Sequence, residues 1–247
     1  MKQMIKGLNW LSTLMELKVN SEKSAGVCVA CLHPNAINGL CDACQRDLPV
    51  NHWSCKACAL PLPWAANNHL CGQCLTDPPP FSRAVIPWRY QFPVDSMIGR
   101  YKYNRQRKFA RPLIAGLGQN LETQLAAGHL PRPDLLIPSP MHPQRRRSRG
   151  FNQAQEIAEE LGSRLAVPVA SGLIRRTRKA RSQRELNRDE RLKNLHGLFQ
   201  LQGEVPMQVA IVDDVVTTGA TARTLAGLLA RHGARDIQIW ALARTPG

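Results

Sequence analysis

Two groups of residues in this 247-residue chain have the types and spacing to do chemistry. The first is Asp213-Asp214-Val215-Val216-Thr217-Thr218-Gly219-Ala220-Thr221. Paired carboxylates can accept hydrogen bonds from a sugar diol, or hold water on a magnesium ion. Thr217, Thr218 and Thr221 offer hydroxyl donors, and Gly219 lets backbone come close to a ligand. If a helix follows, its free N–H groups and positive dipole end favour a phosphate at the same point. The Gly-Lys-Ser/Thr ending of a P-loop is absent.

The second group is four cysteine pairs: Cys28 and Cys31, Cys41 and Cys44, Cys55 and Cys58, Cys71 and Cys74. Two residues between ligands let a tight turn aim both sulfurs at one ion, and two such turns close a tetrahedral site. Four pairs therefore supply two structural zinc sites with no coordination position open for chemistry. A disulfide framework needs an oxidising compartment, and a redox motif needs one such pair beside a βαβ unit rather than four in series. The short gaps favour consecutive pairing, Cys28/Cys31/Cys41/Cys44 and Cys55/Cys58/Cys71/Cys74, with interleaved cross-bracing as the alternative. His33, His52 and His69 lie among the pairs as bystanders. A stretch of this size depends on metal to fold.

The acidic group needs a strand before it and a helix after it. Val209 to Val212 is a β-branched run suited to a strand buried on both faces of a parallel sheet. Leu225, Leu228 and Leu229 mark the following helix, Gly233 caps it, and Ile237 to Ala241 is the next strand. That βαβ unit puts the polar turn where open α/β sheets bind ligands. A second unit starts with the strand Leu135 to Pro138. It breaks into Ser139-Pro140-Met141-His142-Pro143 and a cationic loop through Arg149 to Gln153. A helix from Gln153 to Leu165 follows, with Ile157, Leu161 and Leu165 at helical spacing. Arg175 to Lys193, basic and poor in apolar residues, reads either as a flap closing over a charged substrate or as a solvated basic surface.

Val209 to Thr221 resembles the phosphoribosyl pyrophosphate motif of type I phosphoribosyltransferases. Several features occur in one order: the cysteine module, Arg149-Gly150-Phe151-Asn152-Gln153, Gln183 to Asn194, and the terminal Asp-Asp-Val-Val-Thr-Thr-Gly. Together they resemble the ComF/GntX family from Cys28 to Thr245. Tyr101-Lys102-Tyr103 and the Arg191/Asn194/Phe199 spacing are similar to it too. The resemblance implies an α/β fold: a type I phosphoribosyltransferase-like parallel sheet flanked by helices, behind a double zinc ribbon. The boundaries expected are 1–27 for an N-terminal extension, 28–76 for the ribbons, 77–83 for a proline-rich linker and 84–247 for the phosphoribosyltransferase-like domain. It further implies that Asp213 and Asp214 meet the ribose hydroxyls and that Thr217, Thr218, Gly219, Ala220 and Thr221 cradle the 5-phosphate. Ser139 and Arg149 would lie at the pyrophosphate, with Asp213, Asp214 and Arg149 as the catalytic set and magnesium arriving with the substrate. Members of the family are linked to competence and to external DNA as a nutrient, with an older link to gluconate metabolism.

The formal net charge of +15 falls to about +11 with two tetrathiolate zinc sites. It suits polyanionic partners, single-stranded DNA or a phosphate-rich metabolite. Arg100 to Arg111 carries six basic residues and no acidic one, with Tyr101, Tyr103 and Phe109 interleaved. That pattern reads as a stacking surface for nucleic acid, or as a basic amphipathic helix with Tyr101 and Phe109 turned inward. No apolar run reaches the ~18 residues of a membrane span, and no cleavage site follows the N-terminal leucines, so the expectation is a cytoplasmic protein. Two functions stand at this point: a phosphoribosyltransferase of unspecified acceptor, or a non-catalytic protein handling DNA or sensing the metabolite, with DNA-uptake proteins as partners. Little chain follows the Ile237 strand, so an acceptor pocket would come from Phe81 to Arg111 or from the ribbons.

Overall fold

The computed structural model describes residues 26–63, 69–104, 106–177 and 198–247. The cysteine region holds two short helices, α1 (Asp42–Arg46) and α2 (Gly72–Thr76), each preceded by the third cysteine of its group. Beyond it come β1 (Arg83–Val85), β2 (Trp88–Arg89), α3 (Val94–Asn104), a 3-10 turn at Arg107–Phe109, and α4 (Arg111–Ala126). The chain continues through β3 (Leu135–Pro138), α5 (Pro143–Arg149), α6 (Gln153–Leu165), β4 (Ile174–Arg176) and β5 (Phe199–Leu201). It closes with β6 (Gln208–Val216), α7 (Ala220–Arg231) and β7 (Asp236–Arg244).

The main sheet runs β1-β7-β6-β3, with β2 also on β7, and every pairing between these strands is parallel. This is the expected α/β class, a parallel sheet flanked by helices. Strand alternation explains why its strands are almost wholly apolar. Along β6, Ala210 and Val212 enter the core beneath α3, α4 and α6, while Val209 and Ile211 enter the core beneath α7. Along β7, Trp240 and Leu242 face the first core, and Ile237, Ile239 and Ala241 the second. Helix α6 buries Ile157, Leu161 and Leu165, the spacing read from the sequence. β4 and β5 form a separate antiparallel pair. Of the expected flap, the residues after Thr177 lie outside the described residues, as do Arg191 and Asn194 and nearly all of the expected extension 1–27.

Two elements run further than the sequence indicates. β6 continues four residues past Val212, because β7 stays beside it: Asp213 pairs with Ala241, Val215 with Ala243 and Val216 with Arg244. The acidic pair therefore sits in the strand rather than in a loop. β7 likewise extends from Asp236 to Arg244.

The ribbons are packed against the sheet domain. Cys28, Leu40, Cys41 and Leu48 belong to the same buried cluster as Trp88, Leu113 and Trp240. The segment expected as a linker is tied to α7, where Arg223 Nη1 lies 3.1 Å from Asp77 Oδ2 and Nη2 donates to Asp77 O at 2.7 Å.

Candidate functional site

The carboxyl ends of β6 and β3 bring Asp213, Asp214 and Ser139 together. Ser139, buried just after β3, donates its backbone N–H to Val212 O at 2.8 Å, which locks it beside the acidic pair. Burial and the neighbouring Asp214 charge push the Asp213 carboxyl up to about 7; the Asp214 backbone N–H, Lys102 and the Ser139 hydroxyl pull the other way. The Asp214 N–H donates to Asp213 Oδ1 at 2.8 Å.

Asp214 has its own cation. Lys102 Nζ lies 3.0 Å from Asp214 Oδ2, and both side chains are largely buried. Helix α3 holds Lys102 there through its neighbour Tyr101, whose hydroxyl donates to Glu156 Oε2 at 3.1 Å and whose ring lies 5.3 Å from that of Phe151. Arg107 pairs with the same Glu156. Burial, then the Glu156 charge, holds the Tyr101 phenol above its ordinary range, so it remains a donor. Lys102 was not read from the sequence as a site residue, although Tyr101-Lys102-Tyr103 was noted. The available signal was electrostatic: adjacent half-buried carboxylates require a cation, and the basic run 100–111 was the supply.

The turn follows directly. Gly219, at φ 77°, takes the left-handed conformation that glycine adopts without Cβ strain and precedes the twelve residues of α7. Thr218 Oγ1 accepts from Ala220 N at 3.4 Å. Thr217, Thr218 and Thr221 are exposed, Ala220 is half-buried in the first helical turn, and the first N–H groups of α7 lack intrahelical acceptors. A phosphate could sit there. Arg244, almost fully buried at 3% exposure, supports the turn from below. Its Nη1 donates to Val216 O at 3.2 Å, to Thr217 O, and to Thr245 O at 3.0 Å, while Nε donates to Cys58 O at 3.2 Å. No sequence pattern singled out this residue.

Arg149 ends α5, where Gly150 at φ 81° caps the helix. Its Nη1 lies 3.3 Å from Gln153 Oε1, and its guanidinium lies 5.1 Å from the Tyr103 ring centroid. The structure thus sets the Arg149 guanidinium beside α3 and α6. Of the three aromatics in the basic run, Tyr101 and Phe109 are core residues and Tyr103 is exposed. The inward-packing alternative holds for the first two, though the run is broken between α3, the 3-10 turn and α4 rather than forming one helix.

The cysteines form two consecutive tetrads, Cys28/Cys31/Cys41/Cys44 and Cys55/Cys58/Cys71/Cys74, with all sulfurs of a tetrad within 4.8 Å of one another. Thiolates bound tetrahedrally at ~2.3 Å lie about 3.8 Å apart. The Cys31 and Cys41 sulfurs are 3.6 Å apart, and those of Cys58 and Cys71 are 3.7 Å apart. The donor sets therefore fit zinc. Backbone amides favour the thiolate form: Cys71 N donates to Cys55 Sγ at 3.2 Å. Burial raises the Cys28 and Cys55 thiols, but such amides outweigh it and hold them at about 6 and about 7.

These features define a two-part α/β protein, with paired cysteine tetrads packed on a parallel sheet and an acidic strand end leading into a threonine-glycine turn. The chain is 36% identical over 226 residues to the DNA utilization protein YhgH of Shigella flexneri, covering 89% of this chain and 97% of that protein. It is 35% identical to YhgH of Escherichia coli strain K12 with the same coverage. Competence protein F of Haemophilus influenzae is 34% identical over 213 residues, covering 85% and 92%. The chain belongs to this competence and DNA-utilization family, the ComF/GntX family of the sequence resemblance. No family model matches the chain. Among solved structures, the purine phosphoribosyltransferase from Pyrococcus horikoshii Ot3 aligns over 53% of this chain and 70% of its own, at 19% identity and a TM-score of 0.33. A hypoxanthine phosphoribosyltransferase from Staphylococcus aureus aligns over 52% and 61%, at 16% identity and a TM-score of 0.35.

Proposed function

We propose that the protein binds phosphoribosyl pyrophosphate at the carboxyl end of β6 and transfers its phosphoribosyl group to a nitrogen acceptor, in the use of DNA-derived material. The observation that carries this reading is the cluster of Ser139, Asp213, Asp214 and Lys102 leading straight into the Gly219 turn and the N-terminus of α7. Asp213 and Asp214 accept hydrogen bonds from the ribose hydroxyls. Thr217 through Thr221 surround the 5-phosphate, where backbone N–H groups and the helix dipole favour an anion. Ser139 borders the pyrophosphate side, and Arg149 supplies charge there once it leaves Gln153.

Magnesium fits beside Asp213, whose raised carboxyl has no ion pair among the described residues whereas Asp214 has Lys102; when bound through water it would neutralise the phosphates. In the transfer, the bond from C1 to the pyrophosphate oxygen breaks and its electrons leave with pyrophosphate. The acceptor nitrogen's lone pair forms the new bond at C1. Charge stabilisation of the departing group supplies most of the rate. The cysteine tetrads hold zinc structurally, the division 28–76 and 84–247 separates ribbons from the transferase-like part, and the protein acts in the cytoplasm. Among the described residues, no helix is long and apolar enough to cross a membrane.

Calorimetry with magnesium and phosphoribosyl pyrophosphate tests the site. Replacing both acids in Asp213→Asn/Asp214→Asn removes two charge-assisted acceptors, each worth ~1.5–3 kcal/mol, and is expected to weaken binding at least ten-fold. Equal affinity in the double variant would remove the assignment. Pyrophosphate release, with and without free bases or single-stranded DNA, then separates turnover from binding alone.

A second reading, a non-catalytic protein that handles single-stranded DNA, draws on the exposed Tyr103 ring under Arg149 and on the exposed Phe92. Exposed aromatic faces, one of them against a guanidinium, suit base stacking. Binding of DNA without pyrophosphate release would favour it.

A further inference from the structure

The outer edge of the sheet is partly covered by the chain itself. Val50 pairs antiparallel with Trp88, Asn51 N donates to Pro87 O at 2.7 Å, and Arg89 N donates to Pro49 O at 2.8 Å. The opposite side of this strand faces β7, since Tyr90 N donates to Arg244 O and Ser82 N to Ile237 O, both at 2.8 Å. The register on β7 is unchanged from Val85, opposite Trp240, to Trp88, opposite Ala243. Two-residue alternation therefore turns the backbone groups of Arg83 and Val85 outward, as it does those of Pro87 and Arg89. At His52 the covering segment departs. Between it and 82–87 opens a cavity of about 580 Å³, floored by Asn120 and Gln124 of α4.

The cavity has a charge preference. Its ionisable lining residues are His52, Lys56 and Arg83, with no carboxylate among them. Arg83 donates through Nη1 to His129 O at 2.7 Å, while its buried Nε has no partner among the described residues. Asn51 is fixed by Nδ2, which donates to Ala59 O at 2.9 Å, and its Oδ1 is also unpartnered among the described residues.

We propose that this cleft takes an extended acidic segment of a partner protein, added as a strand to the outer edge of β1. Main-chain hydrogen bonds to Arg83 and Val85 would continue the pairing that Pro49–Asn51 makes one step along the same edge. Carboxylates of the segment would meet Lys56, Arg83 and His52. Strand addition draws affinity from the main chain and selectivity from side chains, and an open edge is otherwise a liability that proteins cover or charge. A free phosphate would use the cations and leave the strand's N–H and C=O groups unpaired. The proposal is independent of the phosphoribosyl site.

The probe is a blocked pentapeptide alternating aspartate and valine, added to the full-length protein while amide hydrogen exchange is followed. The Arg83 and Val85 amides should exchange fast in the free protein and slow on binding. Arg83→Glu and Lys56→Glu should each weaken binding about ten-fold, and a lysine-valine peptide should not bind. A peptide N-methylated at alternate residues should also fail, a result that needs no variant to fold. Slow exchange of Arg83 and Val85 without peptide, or no binding at millimolar peptide, would overturn the proposal. So would equal binding of the N-methylated peptide, or displacement by inorganic phosphate, which would make the cleft a small-anion pocket.

Discussion

Lys102 Nζ stands 3.0 Å from Asp214 Oδ2, a contact between α3 and the end of β6 in which both partners are mostly shielded from water. It turns one of two adjacent carboxylates into half of an ion pair and leaves the other to carry the repulsion. Removing one partner of such a pair strands the other charge, at a cost of about 1–3 kcal/mol for a partly buried site. Lys102→Met should lower the urea midpoint accordingly. Lys102→Met/Asp214→Asn should recover most of the loss, and no recovery would mean that the contact is incidental.

Asp213 gives the stability curve a sign. Its folded-state carboxyl is raised to about 7, above the ~3.9 of an unfolded aspartate. Between these values the folded state holds more protons than the unfolded one, so this group's contribution is fully present below about pH 4 and is lost as the pH rises through 7. Asp213→Asn should therefore flatten the fall in melting temperature between pH 5 and pH 8. If the variant and the parent show the same slope, the carboxyl is not raised. Magnesium-dependent binding of phosphoribosyl pyrophosphate should run oppositely in the parent, tightening as Asp213 ionises.

Arg244 joins the second ribbon to the candidate site, with donors on Cys58 O and on the Val216 and Thr217 carbonyls. Arg244→Met keeps the stem and removes these bonds; Val216 O still accepts from Thr245 N at 3.0 Å, whereas the part-buried Cys58 and Thr217 carbonyls lose this donor at up to ~1–3 kcal/mol each where water cannot enter. We expect a loss of about 2–4 kcal/mol in urea unfolding, together with weaker substrate binding from a loosened turn. Unchanged affinity in a folded variant would show that the turn does not depend on this support.

The two tetrads should respond differently to metal loss. Elemental analysis should give two zinc ions per chain, and one after Cys74→Ser. Cys41 lies in the main core beside the cluster of Trp88 and Leu113, whereas Cys74 sits in a small cluster with Cys55, Ala57 and Cys71. Cys41→Ser should unfold the chain as a whole, and Cys74→Ser should expose chiefly the second ribbon to protease. Equal global loss from both would contradict this division.

How much was legible in the sequence differs by element. The cysteine tetrads, the β6–α7–β7 unit and the α6 face could be read directly, since ligand spacing and apolar periodicity are local signals. The length of β6 could not: Asp213 and Asp214 disfavour a strand, and only Ala241 and Ala243 alongside hold them in one. Lys102 and Arg244 were hidden for a related reason, because their partners lie far along the chain. The place of Arg149 at the pyrophosphate rests on the family resemblance, and the contacts of its guanidinium with Gln153, the first residue of α6, and with the Tyr103 ring could not be read from local sequence.

Cys28 and Cys41 are shared with the principal core, so if the first tetrad holds zinc as proposed, metal supply would act on the entire molecule. A chain made in a zinc-starved cell would lack more than an appendage: its largest apolar cluster would be left incomplete. Such chains would be cleared by proteases before reaching any partner. Abundance of the protein would then follow cellular zinc, with no dedicated sensor required.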